Sequence, residues 1–189
     1  MIVDILTQNQ LLTTYRFYGA RHSVIGIGNK INFEIEENAA FLPRLRDLMH
    51  IGASWILERN KLYIWQQYAT LFYAHLKETT QLDDFYFELL NQSYDKFSKQ
   101  NPKRVVIESY IKMLEYEGRL FKDKKCYICG EKIGKKVALM RAFLPAHKEC
   151  IYASTLQSAK IYGLLQSAKT IDLDDDEVEY LYEIVLKGF

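Results

Sequence analysis

Apolar residues in the first 36 positions come in short runs, and stretches 2–7, 11–17, 23–25 and 30–36 read as strands. In the last of these, Ile31, Phe33 and Ile35 alternate with Asn32, Glu34 and Glu36, the two-residue period of a half-buried strand. Gly19, Gly26, Gly28 and Asn29 punctuate the joins, and Gly28-Asn29 is a tight-turn dipeptide. The expectation is a small antiparallel sheet or barrel.

After Pro43 the spacing becomes helical, weakly through Leu45, Leu48 and Met49, then strongly through Leu62, Trp65, Tyr68, Ala69, Phe72 and Leu76. A second helix carries Leu82, Phe85, Tyr86, Leu89, Leu90 and Phe97. A third has Asn101 as its cap, Pro102 at its first position, Val106, Tyr110, Met113 and Leu114 as its apolar stripe, and Gly118 at its end. The aromatic stripes of these helices read as core. Residues 122–144 are basic and poor in helix signals. Beyond His147 two more helices are expected, one through Ile151, Leu156, Ile161 and Leu165, the other through Val178, Leu181, Ile184 and Val185. The Asp174-Asp175-Asp176-Glu177 run reads as the cap of the last helix, since acidic groups complement its dipole there. The fold class is therefore α+β, with a β domain over 1–50 and a helical domain over 51–189 that carries a metal module at about 122–150.

The chain of 189 residues has a formal net charge of +1, so distribution matters more than the sum. Residues 99–150 hold 13 basic and 6 acidic side chains, against 9 and 11 in 1–98 and 3 and 7 in 151–189. The basic third either meets phosphate or is a solvated lysine-rich surface. No stretch approaches the roughly 18 apolar residues of a membrane span, and the start lacks a basic leader; the expectation is a soluble cytoplasmic protein, nucleoid-associated when bound to DNA. All three cysteines lie between 126 and 150, which leaves no distributed disulfide framework and fits a reducing compartment.

Cys126-Tyr127-Ile128-Cys129 and His147-Lys148-Glu149-Cys150 have identical two-residue spacers and are separated by 17 residues. A two-residue gap aims both ligands of a turn at one ion, and two such halves close the tetrahedron that Zn²⁺ prefers. A redox Cys-x-x-Cys would not need His147 and Cys150 in register. A catalytic zinc keeps one position for water, whereas these four donors fill the shell, so the reading is one structural Zn²⁺. Three thiolates and a neutral imidazole leave the complex at −1, and part of the lysine content nearby offsets that charge.

Between Thr14 and His22 three rings interleave with two arginines, the combination that stacks on bases while guanidinium groups meet phosphates. Tyr15, Arg16, Tyr18 and Arg21, with Lys30, are the candidate DNA-binding residues. The alternative places Tyr15 and Phe17 on the inward face of a barrel strand.

The order of strand-rich start, helical middle, paired-ligand module and helical tail resembles the RecO family. Residues 15–22, ending in Gly19-Ala20-Arg21, resemble the family's second barrel strand and its basic turn. Residues 106–114, running through Gly118 to Cys126, resemble the helix that leads into the family's zinc module. The resemblance implies an N-terminal OB-fold, binding of single- and double-stranded DNA, annealing of complementary strands, and no catalytic activity. It further implies contact with RecR and with the acidic C-terminal tail of single-strand-binding protein, so that RecA loads during repair; Lys103 and Arg104 stand where the family places contacts to that tail. Two departures follow. His147 stands where zinc-bearing relatives often have cysteine, and the chain begins inside what would be the second barrel strand, so that either translation starts upstream or the barrel is open at that edge. Two other functional classes stay open: a zinc-stabilised nuclease of HNH type, for which His22, His50 and His75 lack surrounding motifs, and a zinc-stapled interaction scaffold without DNA affinity.

Overall fold

The computed structural model describes residues 1–17, 24–37, 41–79 and 81–188. They fall into two compact units, Met1–Lys99 and Gln100–Phe189. The architecture is α+β, with a sheet region at the start followed by helices. No helix among the described residues is long and apolar enough to cross a membrane.

The N-terminal unit opens with β1 (Ile2–Leu6), β2 (Leu11–Tyr15), β3 (Ile31–Glu36) and β4 (Arg44–His50), in sheet order β1-β2-β4-β3. The β1–β2 hairpin closes on Thr7, whose N–H and hydroxyl both donate to the Gln10 carbonyl, at 2.9 and 3.0 Å. The sheet is mixed rather than purely antiparallel, because β2 meets β4 in parallel at Tyr15 and Arg44. Ile5, Leu45 and Leu48 form its small core, with Val24 and Ile25 packed against them. Of the strand expected at 23–25, Ser23 lies outside the described residues, and Val24 and Ile25 are not in a strand. The Gly26–Asn29 turn forms as expected, with a 3.0 Å bond from the Asn29 N–H to the Gly26 carbonyl and Gly28 at φ +75°.

The helical reading of 44–49 is corrected: this segment is β4. An irregularity in the β3–β4 register falls between Asn32 and Glu34, and Asp47 opposite it has φ 44°. The extra residue in β4 switches which side chains face inward, so Leu45 and Leu48 are both buried while Met49 is exposed. A bulged strand thus copies the three-residue spacing of a helix.

In the same unit a 3-10 turn (Ser54–Leu57) leads to α1 (Arg59–Leu76) and α2 (Asp84–Lys96). Trp55, Trp65, Tyr94 and Phe97 cluster with centroids 4.9 to 5.7 Å apart, edge to face except for the tilted Trp55–Phe97 pair. Each such ring, when fully buried, contributes roughly 1.5–3 kcal/mol of apolar transfer, and the indole N–H of Trp55 is satisfied by the Tyr94 carbonyl at 3.1 Å. Asp4 on β1 accepts from Thr13 and from the Tyr73 hydroxyl of α1, both at 2.7 Å, which ties the hairpin to the helices.

In the C-terminal unit, α3 (Pro102–Tyr116) is capped by Asn101, whose side chain accepts from the Lys103 N–H at 3.0 Å, and it stops at Gly118 with φ +69°. Val105, Val106, Ile107, Tyr110, Ile111, Met113 and Leu114 are all buried, so α3 is covered on most of its circumference. A three-stranded sheet, order β6-β5-β7, follows from β5 (Lys136–Leu139), β6 (Pro145–Ala146) and β7 (Leu156–Gln157). Helices α4 (Lys148–Ile151), α5 (Ser158–Ser167) and α6 (Asp175–Val185) complete the unit. The single helix expected through Ile151, Leu156, Ile161 and Leu165 is corrected. Tyr152 at φ 51° ends α4, Leu156 pairs with Val137 in the sheet, and α5 restarts at Ser158, whose hydroxyl donates to the Gly134 carbonyl at 2.7 Å. Asp174 and Glu177 form a reciprocal capping box on α6, so the acidic run is a cap, as expected.

Candidate metal centre and nucleic-acid surface

The metal-ligand candidates converge. One donor atom from each of Cys126, Cys129, His147 and Cys150 lies within 4.8 Å of the other three. The first pair sits in a tight turn. The Gly130 N–H donates to the Cys126 carbonyl at 2.9 Å, the Cys126 N–H to the Glu131 carbonyl at 2.8 Å, and Lys125 bridges Lys132 across it. Gly130 at φ +76° supplies the left-handed step that returns the chain. His147 is the cap of α4 and Cys150 lies in its only turn. A bond from the Tyr127 N–H to the Pro145 carbonyl, 2.8 Å, joins the two halves.

The imidazole is oriented by both of its nitrogens. Nδ1 faces Cys129 Sγ at 3.3 Å, while Nε2 lies 3.2 Å from the Lys132 carbonyl. A carbonyl only accepts, so Nε2 carries the proton and the Nδ1 lone pair points at the cluster, as a metal ligand requires. Burial pushes the Cys126 thiol up, but bonds from the N–H groups of Cys129, His147 and Ile128 and the side chain of Cys129 outweigh it and bring it down to about 6. Cys150 is pushed up to about 11, first by burial and then by the Cys126 and Cys129 side chains. Cys126 and Cys150 thus shift in opposite directions within one crowded group of sulfurs, a crowding that a bound cation would relieve. Soft sulfur and borderline nitrogen donors in this number are consistent with zinc, and the cluster is placed to hold one metal ion.

The second candidate surface lies at the end of β2. Tyr15 and Arg16 are half-buried, whereas Phe17 is 63% exposed, which removes the inward reading of that ring. Tyr15 meets Phe17 edge-on at 5.5 Å, and the Arg44 guanidinium lies 4.9 Å from the Phe17 centroid. Arg44 and Arg46 share the single carboxylate of Glu36, at 3.6 and 3.1 Å, which leaves one positive charge in excess. Arg16 has no side-chain partner among the described residues. Tyr18 and Arg21 lie outside the described residues. Lys30 is apart from this group: its ammonium donates to Asn91 Oδ1 and sits 5.5 Å from the Tyr94 centroid.

Phe17 and Arg44 were absent from the candidate DNA-binding residues. Phe17 carried a signal in the interleaved rings and arginines, but its face depended on where β2 ends. Arg44 carried none, because its neighbour across the sheet is set by the parallel β2–β4 contact.

Lys103 and Arg104, the candidate tail contacts, are both engaged inside the C-terminal unit. Lys103 donates to Glu179 and lies 5.4 Å from the Tyr182 centroid. Arg104 donates to the carbonyls of Thr170 and Leu173 at 2.6 and 2.9 Å and to Asp175 at 2.8 Å.

Residues 1–56 match the family model described as RecO N terminal, a stretch that covers the whole four-stranded sheet and ends within the turn beyond it. No curated protein matches the chain. The family match thus identifies residues 1–56 as a RecO N-terminal domain and supports a RecO-type role in DNA repair for that part of the chain.

Proposed function

We propose that this protein is a non-enzymatic recombination mediator that binds single- and double-stranded DNA and anneals complementary strands. With RecR it helps load RecA onto strands coated by single-strand-binding protein. The observation that carries this reading is the Tyr15–Phe17–Arg44 cluster: an exposed ring braced edge-on by a second ring, under a guanidinium, within the family-matched segment. Such a ring offers a stacking face worth about 1–3 kcal/mol per base, and the adjacent cations displace counterions from phosphate. Cations that hold two strands at once lower their mutual repulsion while the bases pair.

In this reading residues 1–50 act as an OB-type barrel wall, and Tyr15, Arg16, Tyr18, Arg21 and Lys30 face the DNA together with Phe17 and Arg44. One structural Zn²⁺ at Cys126, Cys129, His147 and Cys150 stiffens the helical domain, 51–189. Lys103 and Arg104 take the acidic tail of single-strand-binding protein by exchange, since Glu179 and Asp175 already occupy them as carboxylates of the kind the tail would bring. The protein works in the cytoplasm, on the nucleoid when DNA-bound.

The test is annealing of complementary strands coated with single-strand-binding protein. Arg16→Ala/Phe17→Ala should anneal at least tenfold more slowly than the intact chain, and an unchanged rate would overturn the reading. The Lys103→Ala/Arg104→Ala pair should be defective on coated strands alone.

A further inference from the structure

The metal-binding turn exposes more than ligand geometry requires. Tyr127 and Ile128, the two spacers between Cys126 and Cys129, are 54% and 55% exposed. Any two polar residues would satisfy a two-residue spacer, and an apolar tip at this position gains nothing from the fold. The Tyr127 ring is nevertheless held in one orientation, edge-on to Phe121 at 5.8 Å, and its backbone is pinned to Pro145.

The charge around this tip is unbalanced. Residues 122–150 carry eight basic and three acidic side chains. Lys122 pairs with Glu115, and outside this stretch Lys103 pairs with Glu179, Arg104 with Asp175 and Lys160 with Glu177. Lys125, Lys132, Lys135, Lys136 and Lys148 are exposed and have no ion pair among the described residues. Lys125 and Lys132 even face each other across the turn, an arrangement of like charges that costs stability. A zinc complex of charge −1 calls for about one compensating cation. The remainder is surplus, and a protein surface rarely keeps surplus charge of one sign beside bare rings unless a polyanion neutralises it.

We propose that the metal-bound turn is a second single-strand contact, in which Tyr127 stacks on a base, Ile128 packs beside it, and Lys125 and Lys132 each meet a phosphate. This rests on the DNA-binding reading above but adds a site outside the family-matched segment. The occupant is single-stranded nucleic acid rather than an apolar protein face, because the turn carries Lys125 and Lys132, neither of them ion-paired among the described residues, whose desolvation against a protein would be uncompensated. The rigid turn holds the ring ready, so little side-chain entropy is lost on binding.

The test uses the full chain and labelled oligo-dT, read by fluorescence anisotropy across a salt series, with metal content measured for every variant. Tyr127→Ala/Ile128→Ala should bind roughly 5- to 100-fold more weakly at unchanged metal content. Lys125→Gln/Lys132→Gln should reduce the slope of log affinity against log salt by about 1.4, two phosphate contacts of a single strand. Photocrosslinking to 5-iodouracil should mark Tyr127. Wild-type affinity, wild-type salt slope and crosslinks confined to 1–99 would overturn this inference while leaving the functional reading intact. An intact chain that fails to bind oligo-dT at all overturns both. Retained DNA affinity with loss of a protein partner would make the tip a protein contact and also overturn it.

Discussion

The Nε2 atom of His147 lies 3.2 Å from the carbonyl oxygen of Lys132, while Nδ1 of the same ring faces Cys129 Sγ at 3.3 Å. One backbone carbonyl therefore selects the tautomer that presents a lone pair to the thiolates. His147→Cys should keep one zinc per chain, since thiolate replaces imidazole without loss of coordination number. His147→Ala should bind zinc at least tenfold more weakly in a competitive chelator titration. Equal affinity in the alanine variant would remove His147 from the ligand set.

Cys129→Ala, or stripping the intact chain with a strong chelator, should unfold residues 122–150, because ligand binding and local folding are coupled in a module this small. Hydrogen exchange reads it directly: amides of Cys126, Gly130 and Tyr127, each bonded to a backbone carbonyl across the module, should lose protection together. Unchanged protection without metal would contradict a structural role for the ion.

Gly28 is the position least tolerant of a side chain. Its φ is +75°, and a methyl group there would stand 2.5 Å from Nε1 and 2.9 Å from Cδ1 of Trp65. The Trp65 indole already donates to the Gly28 carbonyl at 2.8 Å, so neither partner has room to retreat. Gly28→Ala should cost roughly 2–4 kcal/mol, the sum of left-handed strain and overpacking, read as a lower midpoint in urea. Gly134→Ala, where nothing lies within 4 Å and φ is ordinary, serves as the control and should be near neutral.

Arg104→Ala separates a brace from a docking residue. Three charge-assisted bonds to Thr170, Leu173 and Asp175 tie the start of α3 to the approach to α6. Their loss should lower stability by about 1.5–3 kcal/mol in chemical denaturation. Lys103→Ala should cost less, because its ion-pair partner Glu179 is exposed.

The cap of α6 makes stability depend on pH at both ends. The bond from the Glu177 N–H, then the Lys160 charge, hold the Asp174 carboxyl below its ordinary value despite partial burial. A depressed acid stabilises above its unfolded value, about 3.9, and that contribution disappears as pH falls through the folded value. The ammonium of Lys160 is raised, chiefly by its bond to Glu177, so its contribution is complete below about 10.4 and is lost as pH rises through the folded value. Asp174→Ala should flatten the acid limb of the melting temperature below about pH 4, and Lys160→Met the alkaline limb; parallel curves for variant and parent would contradict the assignment.

The elements most legible in the sequence are those whose signal is local. The Asn101 cap, Pro102 and Gly118 delimit α3, and the acidic run opens α6, because capping is decided within one turn. The four metal ligands were legible for a related reason: their spacing is a property of two short turns. β4 was not, because its apolar spacing is set by a bulge at Asp47 whose cause is the facing strand. β5 and β7 were missed since a four-residue and a two-residue strand carry no period. Arg44 over Phe17 was invisible because two residues 27 apart meet only through a parallel strand contact.

The coordination of residues 126 through 150 by one ion would also act as a covalent-like tether. With the ion bound, a protease that nicks the backbone between Gly130 and Ala146 leaves two fragments that migrate as one under native conditions, since each retains two donors on the shared centre. The ion would then hold the two halves together alongside the bonds between Arg104 and residues 170–175, so the chain's continuity at this point would reside partly in the metal and not wholly in its peptide bonds.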